Sequence, residues 1–244
     1  MSDSQVEYRN VTYTIGTRTL LRGISLTLAP NSVTALLGRS GSGKTTLLRM
    51  VNGLVMPTSG SVIVGNQDTT SANLLELRRS IGYVIQETGL FPHWTVARNT
   101  GLALELAGQP NPTRVAELLA LVGLEPSLAT RYPWQLSGGQ RQRVGLARAL
   151  AANPGVLLMD EPFGALDPIT RVEMQTMVCD LLTRVHKTVL LVTHDLDEAI
   201  YLAQRIVFLD AGAIMADLPC GEVLSSQNPY VRSYVSAVHG GGKA

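Results

Sequence analysis

The sequence predicts an α/β fold with a mainly parallel sheet, an antiparallel β piece at its N-terminus and an inserted all-helical region. Three observations carry this expectation. Residues 33–37, 61–64, 81–85, 156–159, 189–192 and 206–209 are short apolar runs that alternate with amphipathic helical stretches. Several are apolar throughout, as in parallel strands covered on both faces. Residues 7–13 and 24–28 instead alternate apolar with polar, with Leu26 and Leu28 on one face, which places an antiparallel piece at the edge of the parallel core.

The elements follow in order. The strand 33–37 runs into a glycine-rich turn and then a helix at 45–51. Residues 95–150 read as one helix after another with no strand. After Asp167, Pro168 stands where a first helical residue belongs, and Met174, Met177, Val178, Leu181, Leu182 and Val185 recur at helical spacing. The chain is therefore expected to be one domain over residues 1–240. Its α/β core comprises 1–88 and 154–240, and the helical insert comprises 89–153. Residues 240–244, Gly-Gly-Gly-Lys-Ala, read as a frayed end.

Composition excludes several classes of function. Twenty Lys and Arg against 19 Asp and Glu leave a formal net charge of +1, too balanced for a protein held to nucleic acid by charge. Charged residues make up only 16%, below the roughly 25% of ordinary soluble domains, so part of the surface is expected to be covered by a partner. Cys179 and Cys220 are the two cysteines, which excludes a disulfide framework or a multi-cysteine metal site within one chain. The longest uncharged stretch, 50–67, is broken by Asn, Pro, Gly and Ser and is no membrane span. The N-terminus is polar, without a signal-peptide core. The expected location is the cytosol, or the cytosolic side of a membrane through a partner.

Gly38-Arg39-Ser40-Gly41-Ser42-Gly43-Lys44-Thr45 matches G-x-x-x-x-G-K-[ST], between a buried strand and a helix. Glycines let the backbone wrap around phosphate oxygens, and the N–H groups at the helix start point at the anion. Lys44 is placed to reach the β- and γ-phosphates and the Thr45 hydroxyl to ligate Mg²⁺. Thr46, next in the helix, completes the expected phosphate set. The strand 156–159 ends in Asp160 and Glu161, at the end where α/β sheets bind ligands. Asp160 is expected to hold Mg²⁺ through water, and Glu161 to polarise the attacking water.

Leu136-Ser137-Gly138-Gly139-Gln140 resembles the signature of ATP-binding cassette (ABC) ATPases, and the motifs fall in that family's order over nearly the whole chain. The residues agree with the resemblance. Ser137 suits a helix N-cap, the glycines allow close backbone approach, and the helix that follows aims its positive end at an anion. In the family that anion is ATP on the other subunit, so two chains sandwich two ATPs, with Ser137, Gly139 and Gln140 of each meeting the nucleotide of the other.

The resemblance implies further roles. Tyr13 stands where the family places an aromatic under the adenine. Gln86 matches a glutamine that touches Mg²⁺ and water and senses the membrane partner. Asp167 matches a loop that crosses the dimer interface, and it can cap its own helix as well. His194, in Thr193-His194-Asp195, matches a switch histidine at the γ-phosphate. His93, His186 and His239 lack metal-ligand spacing and read as surface or loop residues. Arg141, Arg143 and Arg148 read as a solvated or interface face, and Trp94 and Trp134 as packing residues.

Three tasks are open to such a chain: motor subunit of a transporter, soluble cassette acting on DNA or ribosomes, or a regulatory module without turnover. Glu161 and His194 speak against the third, and a single cassette without long heptads or a basic tail against the second. The form resembles importers whose membrane permease is a separate chain, with an extracytoplasmic substrate-binding protein and no nucleic acid. Its expected place is the cytoplasmic face of a prokaryotic inner membrane, and Phe91, Pro92 and Trp94 are expected to dock the permease. The stretches 76–84 and 85–96 resemble importers of quaternary-amine osmoprotectants such as glycine betaine, choline and carnitine. Amino acids and anions are the alternative cargo. Many such relatives continue into paired regulatory domains, whereas this sequence stops soon after the cassette, so the resemblance does not extend to that form of ionic-strength sensing.

Overall fold

The computed structural model describes residues 4–239, so the frayed end expected at 240–244 lies outside it. The chain divides into two compact units. One holds the residues up to Ala72 and those from Thr188 onward; the other is Asn73–Lys187.

The chain opens with β1 (Val6–Ile15), β2 (Arg18–Leu28), β3 (Val33–Leu37), α1 (Lys44–Val51), β4 (Ser59–Val64) and β5 (Gln67–Asp68). The second unit follows with α2 (Leu74–Arg79), β6 (Ile81–Val84), α3 (Val96–Leu106), α4 (Pro112–Leu121), α5 (Gly138–Leu150), β7 (Val156–Asp160) and α6 (Pro168–Val185). The chain then returns through β8 (Thr188–Thr193), α7 (Leu196–Leu202), β9 (Arg205–Asp210), β10 (Ala213–Pro219) and α8 (Pro229–His239).

Within the first unit, β3 runs parallel to β8 and to β9, and β10 pairs antiparallel with β9. All residues of β3 and β8 are buried, which is why they lack alternation. β1 and β2 do not form an edge of that sheet. They make a separate antiparallel sheet, in which β4 pairs with β1 and β5 with β4. The run at 61–64, read beside the parallel strands, thus belongs to the antiparallel sheet. Its alternation shows why: Val62 and Val64 are buried, and Ser61 and Ile63 only partly. The antiparallel sheet is tied to α1 by Tyr8, a buried phenol that donates to the Leu47 carbonyl at 3.1 Å. Burial pushes that phenol well above its ordinary range.

Within the second unit, β6 and β7 are parallel, in register from Ile81 opposite Val156 to Val84 opposite Met159. Residues 89–153, all described, form helices and turns without a strand. The compact unit that contains them is larger than the expected insert, because β6 and α6 pack against α5 and β7 pairs with β6. Gly82 shows how closely: a Cβ there would run into the Ala149 carbonyl of α5. Among the described residues no helix is long and apolar enough to cross a membrane.

Candidate active site

The first unit carries the glycine-rich loop expected to bind phosphate. Burial of β3, at about 1.5–3 kcal/mol for each large aliphatic side chain, fixes the strand from which the loop departs. Gly41 and Gly43 take φ of +78° and +104°, backbone that a side chain would strain. Gly38 is needed for space, since a Cβ would meet the Leu209 carbonyl of β9. Arg39, Ser40 and Gly41 are exposed at the tip, while Ser42 is buried. Ser42 Oγ has no hydrogen-bond partner among the described residues. Lys44 is only 5% exposed, and its Nζ donates to the Gly38 carbonyl at 2.8 Å and the Arg39 carbonyl at 2.9 Å. An ammonium is thereby folded into the loop above the first turn of α1, where Thr45 and Thr46 also sit. This combination of positive helix end, buried cation and orphan hydroxyl is what an anionic phosphate chain requires.

Strand register brings His194 to the same place. Leu37 pairs with Thr193, so Gly38 and His194 leave adjacent parallel strands side by side. The turn at His194 is pinned on both sides. The Asp195 N–H donates to Thr193 Oγ1 at 3.0 Å, and Asp195 Oδ1 caps α7 by accepting from the Glu198 N–H at 3.1 Å.

Tyr13 is half-buried in β1 opposite Leu21, whose Cδ2 would lie 2.7 Å from a Cβ on Gly43. A cleft of about 610 Å³ beside the loop is lined by Thr17, Arg18, Thr19, Leu20, Arg22, Gly41 and Ala211. The sequence does not single out the hairpin residues 17–22, because nothing local in them signals a pocket. The β1–β2 pairing and the loop create it.

The second unit carries the carboxylates. The register of β6 on β7 brings their ends together. Asp160 is 3% exposed and accepts from Tyr83 Oη at 3.2 Å, while Gln86 Nε2 donates to Glu161 Oε2 at 3.4 Å. Glu161 has φ +44°, a left-handed conformation that costs a non-glycine residue about 1–3 kcal/mol and clusters at functional sites. The turn behind it is held from α5, where the buried Gln142 amide donates to the Pro162 carbonyl.

Ser137 caps α5 through a reciprocal box. The Gln140 N–H donates to Ser137 Oγ at 3.2 Å, and the Ser137 N–H donates to Gln140 Oε1 at 2.9 Å. Gly139 has a packing reason of its own: a Cβ would lie 2.7 Å from Thr170 Cγ2 of α6. Asp167 caps α6 by accepting from the Thr170 N–H at 3.1 Å, and hydrogen bonds from Thr170 hold its carboxyl below the usual range.

One expectation is narrowed and another corrected. Of the solvated or interface face expected for Arg141, Arg143 and Arg148, the freely solvated form does not hold, since all three are half-buried. Each donates to a backbone carbonyl, Arg141 to Leu136 at 2.7 Å, Arg143 to Val122 at 2.8 Å, and Arg148 to Thr88 at 2.6 Å and Gly89 at 2.8 Å. Arg148 so clamps the loop after Gln86, in which Thr88 and Gly89 both have φ +53°. Trp134 is not a packing residue but is 72% exposed, stacked on Tyr132 at 6.0 Å. Trp94 does pack, against Phe91 at 4.3 Å with Arg98 over its ring at 4.2 Å.

A glycine-rich loop ending in a buried lysine, a carboxylate pair closing a buried strand and a serine-capped glycine helix define a nucleotide-binding cassette. The chain belongs to the ABC transporter family, whose model matches residues 21–164. It is 45% identical over 237 residues to the glycine betaine uptake system ATP-binding protein YehX of Escherichia coli (strain K12), covering 94% of this chain and 76% of the relative. It is 47% identical over 203 residues to the choline transport ATP-binding protein OpuBA of Bacillus subtilis (strain 168), covering 82% of this chain but only 53% of that protein. The ATP-binding cassette MJ0796, in a dimeric post-hydrolysis state bound to ADP and Pi, matches with a TM-score of 0.78 and 34% identity over 88% of this chain and 98% of its own.

Proposed function

We propose that this chain is the ATP-hydrolysing motor subunit of an importer for quaternary-amine osmoprotectants. The observation that supports hydrolysis most directly is the Gln86–Glu161 hydrogen bond at the ends of β6 and β7, with Glu161 held in a left-handed conformation. The names of relatives at 45% and 47% identity support the direction and the cargo.

In this reading the loop from Gly38 to Thr46 binds the phosphate chain of ATP, with Lys44 neutralising the β- and γ-phosphates and His194 sensing the γ-phosphate. Glu161, oriented by Gln86, accepts the proton of the attacking water. The Thr45 hydroxyl, the Asp160 carboxylate and the Gln86 side chain are hard oxygen donors suited to Mg²⁺. Among the described residues no cluster of three His, Cys, Asp or Glu could hold a metal, so the ion is expected to arrive with the phosphates. Mg²⁺ would supply charge neutralisation on the β- and γ-oxygens.

Ser137, Gly139, Gln140 and Asp167 face the nucleotide of a second cassette, so ATP joins a dimer and hydrolysis releases it. The chain works at the cytoplasmic face of a prokaryotic inner membrane with a separate permease and an extracytoplasmic binding protein. The half-exposed Phe91, with Pro92 and Trp94, docks the permease. Phe91 is presented outward because Asn99 clamps its backbone, accepting from its N–H at 2.8 Å and donating to its carbonyl at 3.1 Å.

Two measurements test this reading. With its permease and binding protein, the chain's ATPase should rise severalfold on adding glycine betaine or choline. A response to an unrelated solute and to no quaternary amine would remove the cargo and leave the motor. For the purine, Tyr13→Ala should weaken ATP binding by about 1–3 kcal/mol and Tyr13→Trp should bind near the parental level. Parental affinity in Tyr13→Ala, measured by calorimetry, would take Tyr13 out of the site and move the base to the cleft lined by Thr17 and Arg18.

A further inference from the structure

The C-terminal helix α8 reaches the switch histidine by a contact that no motif announces. Tyr234 Oη donates to the backbone carbonyl of His194 at 3.0 Å. That hydroxyl is held in place by its ring. Tyr234 stands edge-on to the fully buried Phe208 of β9 at 5.6 Å and 75°, and Tyr230 meets the same ring at 6.3 Å and 77°. α8 itself is anchored along its length. Asn228 Oδ1 accepts from the Tyr230 N–H at 2.9 Å at its start, Val231 is fully buried, and His239 Nε2 lies 3.0 Å from Asp197 Oδ1 of α7 at its end. The same face borders the phosphate loop, since Arg39, Tyr230, Ser233 and Tyr234 line one cleft of about 220 Å³. Burial first, then Tyr230 and Asp195, pushes the Tyr234 phenol up to about 12, with Arg39 opposing. It therefore remains a protonated donor throughout the physiological range.

We propose that Tyr234 is a positioning residue for His194, and that α8 sets the rate of the hydrolytic step through this hydrogen bond. The proposal rests on the reading of His194 as the γ-phosphate sensor. Thr193 and Asp195 fix the backbone on either side of His194, and Tyr234 supplies a third restraint, on the His194 carbonyl itself. Losing it lets the peptide after His194 rotate, which moves the imidazole without touching the phosphate loop. Reactive geometry is sensitive to displacements of this size, so the effect falls on turnover rather than on binding.

The test is steady-state ATPase kinetics of the full chain for Tyr234→Phe, His194→Ala and the double variant. Tyr234→Phe keeps the ring against Phe208 and removes only the hydroxyl. It should lower kcat about threefold to tenfold, the scale of one hydrogen bond, with KM for ATP and Tm unchanged. In the His194→Ala background, Tyr234→Phe should have no further effect, because its route to the nucleotide is already gone. Parental kcat in Tyr234→Phe beside a slow His194→Ala overturns the proposal and leaves the reading of His194 intact. An undiminished effect of Tyr234→Phe in the double variant also overturns it, since the hydroxyl then acts elsewhere. Parental turnover in His194→Ala overturns the reading of His194 and the proposal together.

Discussion

Glu161→Gln is expected to lower ATP turnover by at least about 100-fold, the scale of losing a general base, while ATP still binds. The substitution is nearly isosteric. Glutamine can keep the hydrogen bond to Gln86, now at 3.4 Å, and tolerates the φ of +44° about as well as glutamate. It cannot take a proton from water. ATP is proposed to lie between Lys44 of one chain and Ser137 and Gly139 of another, so it stabilises the dimer by mass action for as long as it stays intact. Blocking hydrolysis should then convert a transient dimer into a lasting one. Light scattering of Glu161→Gln should show a dimer with Mg-ATP and a monomer with Mg-ADP or no nucleotide. Parental turnover in this variant would refute the role given to Glu161. A monomer under all conditions would count against ATP-driven pairing of the isolated chain.

Lys44→Ala should show the opposite behaviour: ATP affinity down by about 100-fold, near 2.7 kcal/mol, with no turnover and no trapped dimer. The reason is visible in the loop. The Lys44 ammonium is nearly buried and draws in the Gly38 and Arg39 carbonyls. A charged donor meeting phosphate in such surroundings is worth about twice a neutral hydrogen bond. Removing it also leaves those two carbonyls without this donor, so a loss of stability of about 1–2 kcal/mol should accompany the loss of binding. Calorimetric titration with a non-hydrolysable ATP analogue measures the first effect and thermal unfolding the second. Parental affinity would mean that the glycine backbone and α1 hold the phosphates alone. In Lys44→Ala combined with Glu161→Gln, the trapped dimer should disappear, which shows that bound ATP holds the two chains together and that the Glu161→Gln substitution by itself does not.

The features legible in the sequence are those that neighbouring residues impose on one another. β3 lies at 33–37 as expected, the helix after Asp167 starts at Pro168, and Ser137 caps α5. A continuous apolar run, a proline at a first helical position and a serine before a helix each act within a few residues. β10 was not legible, because all its residues but Ala216 are partly or fully exposed and its place depends on pairing with β9. Trp134 was misread because an aromatic residue is usually buried, and only the surroundings of a residue reveal that nothing covers it. The acceptors of the α5 arginines, at Leu136, Val122, Thr88 and Gly89, were not legible for a related reason: they are backbone carbonyls, which carry no mark in the sequence.

The chemistry proposed for this protein rests on its order of residues: the glycine-rich loop, the carboxylates after an apolar strand and the glycine-rich helix start are local motifs whose parts need only a few residues of chain to act. Their arrangement was not. Register places Thr193 beside Leu37, Gln86 reaches Glu161, and Tyr234 reaches His194 across 40 positions. Such pairings depend on long-range packing of buried strands and rings, where the burial of apolar surface outweighs local preference. That same packing holds Glu161 in a left-handed conformation that its own residue type disfavours.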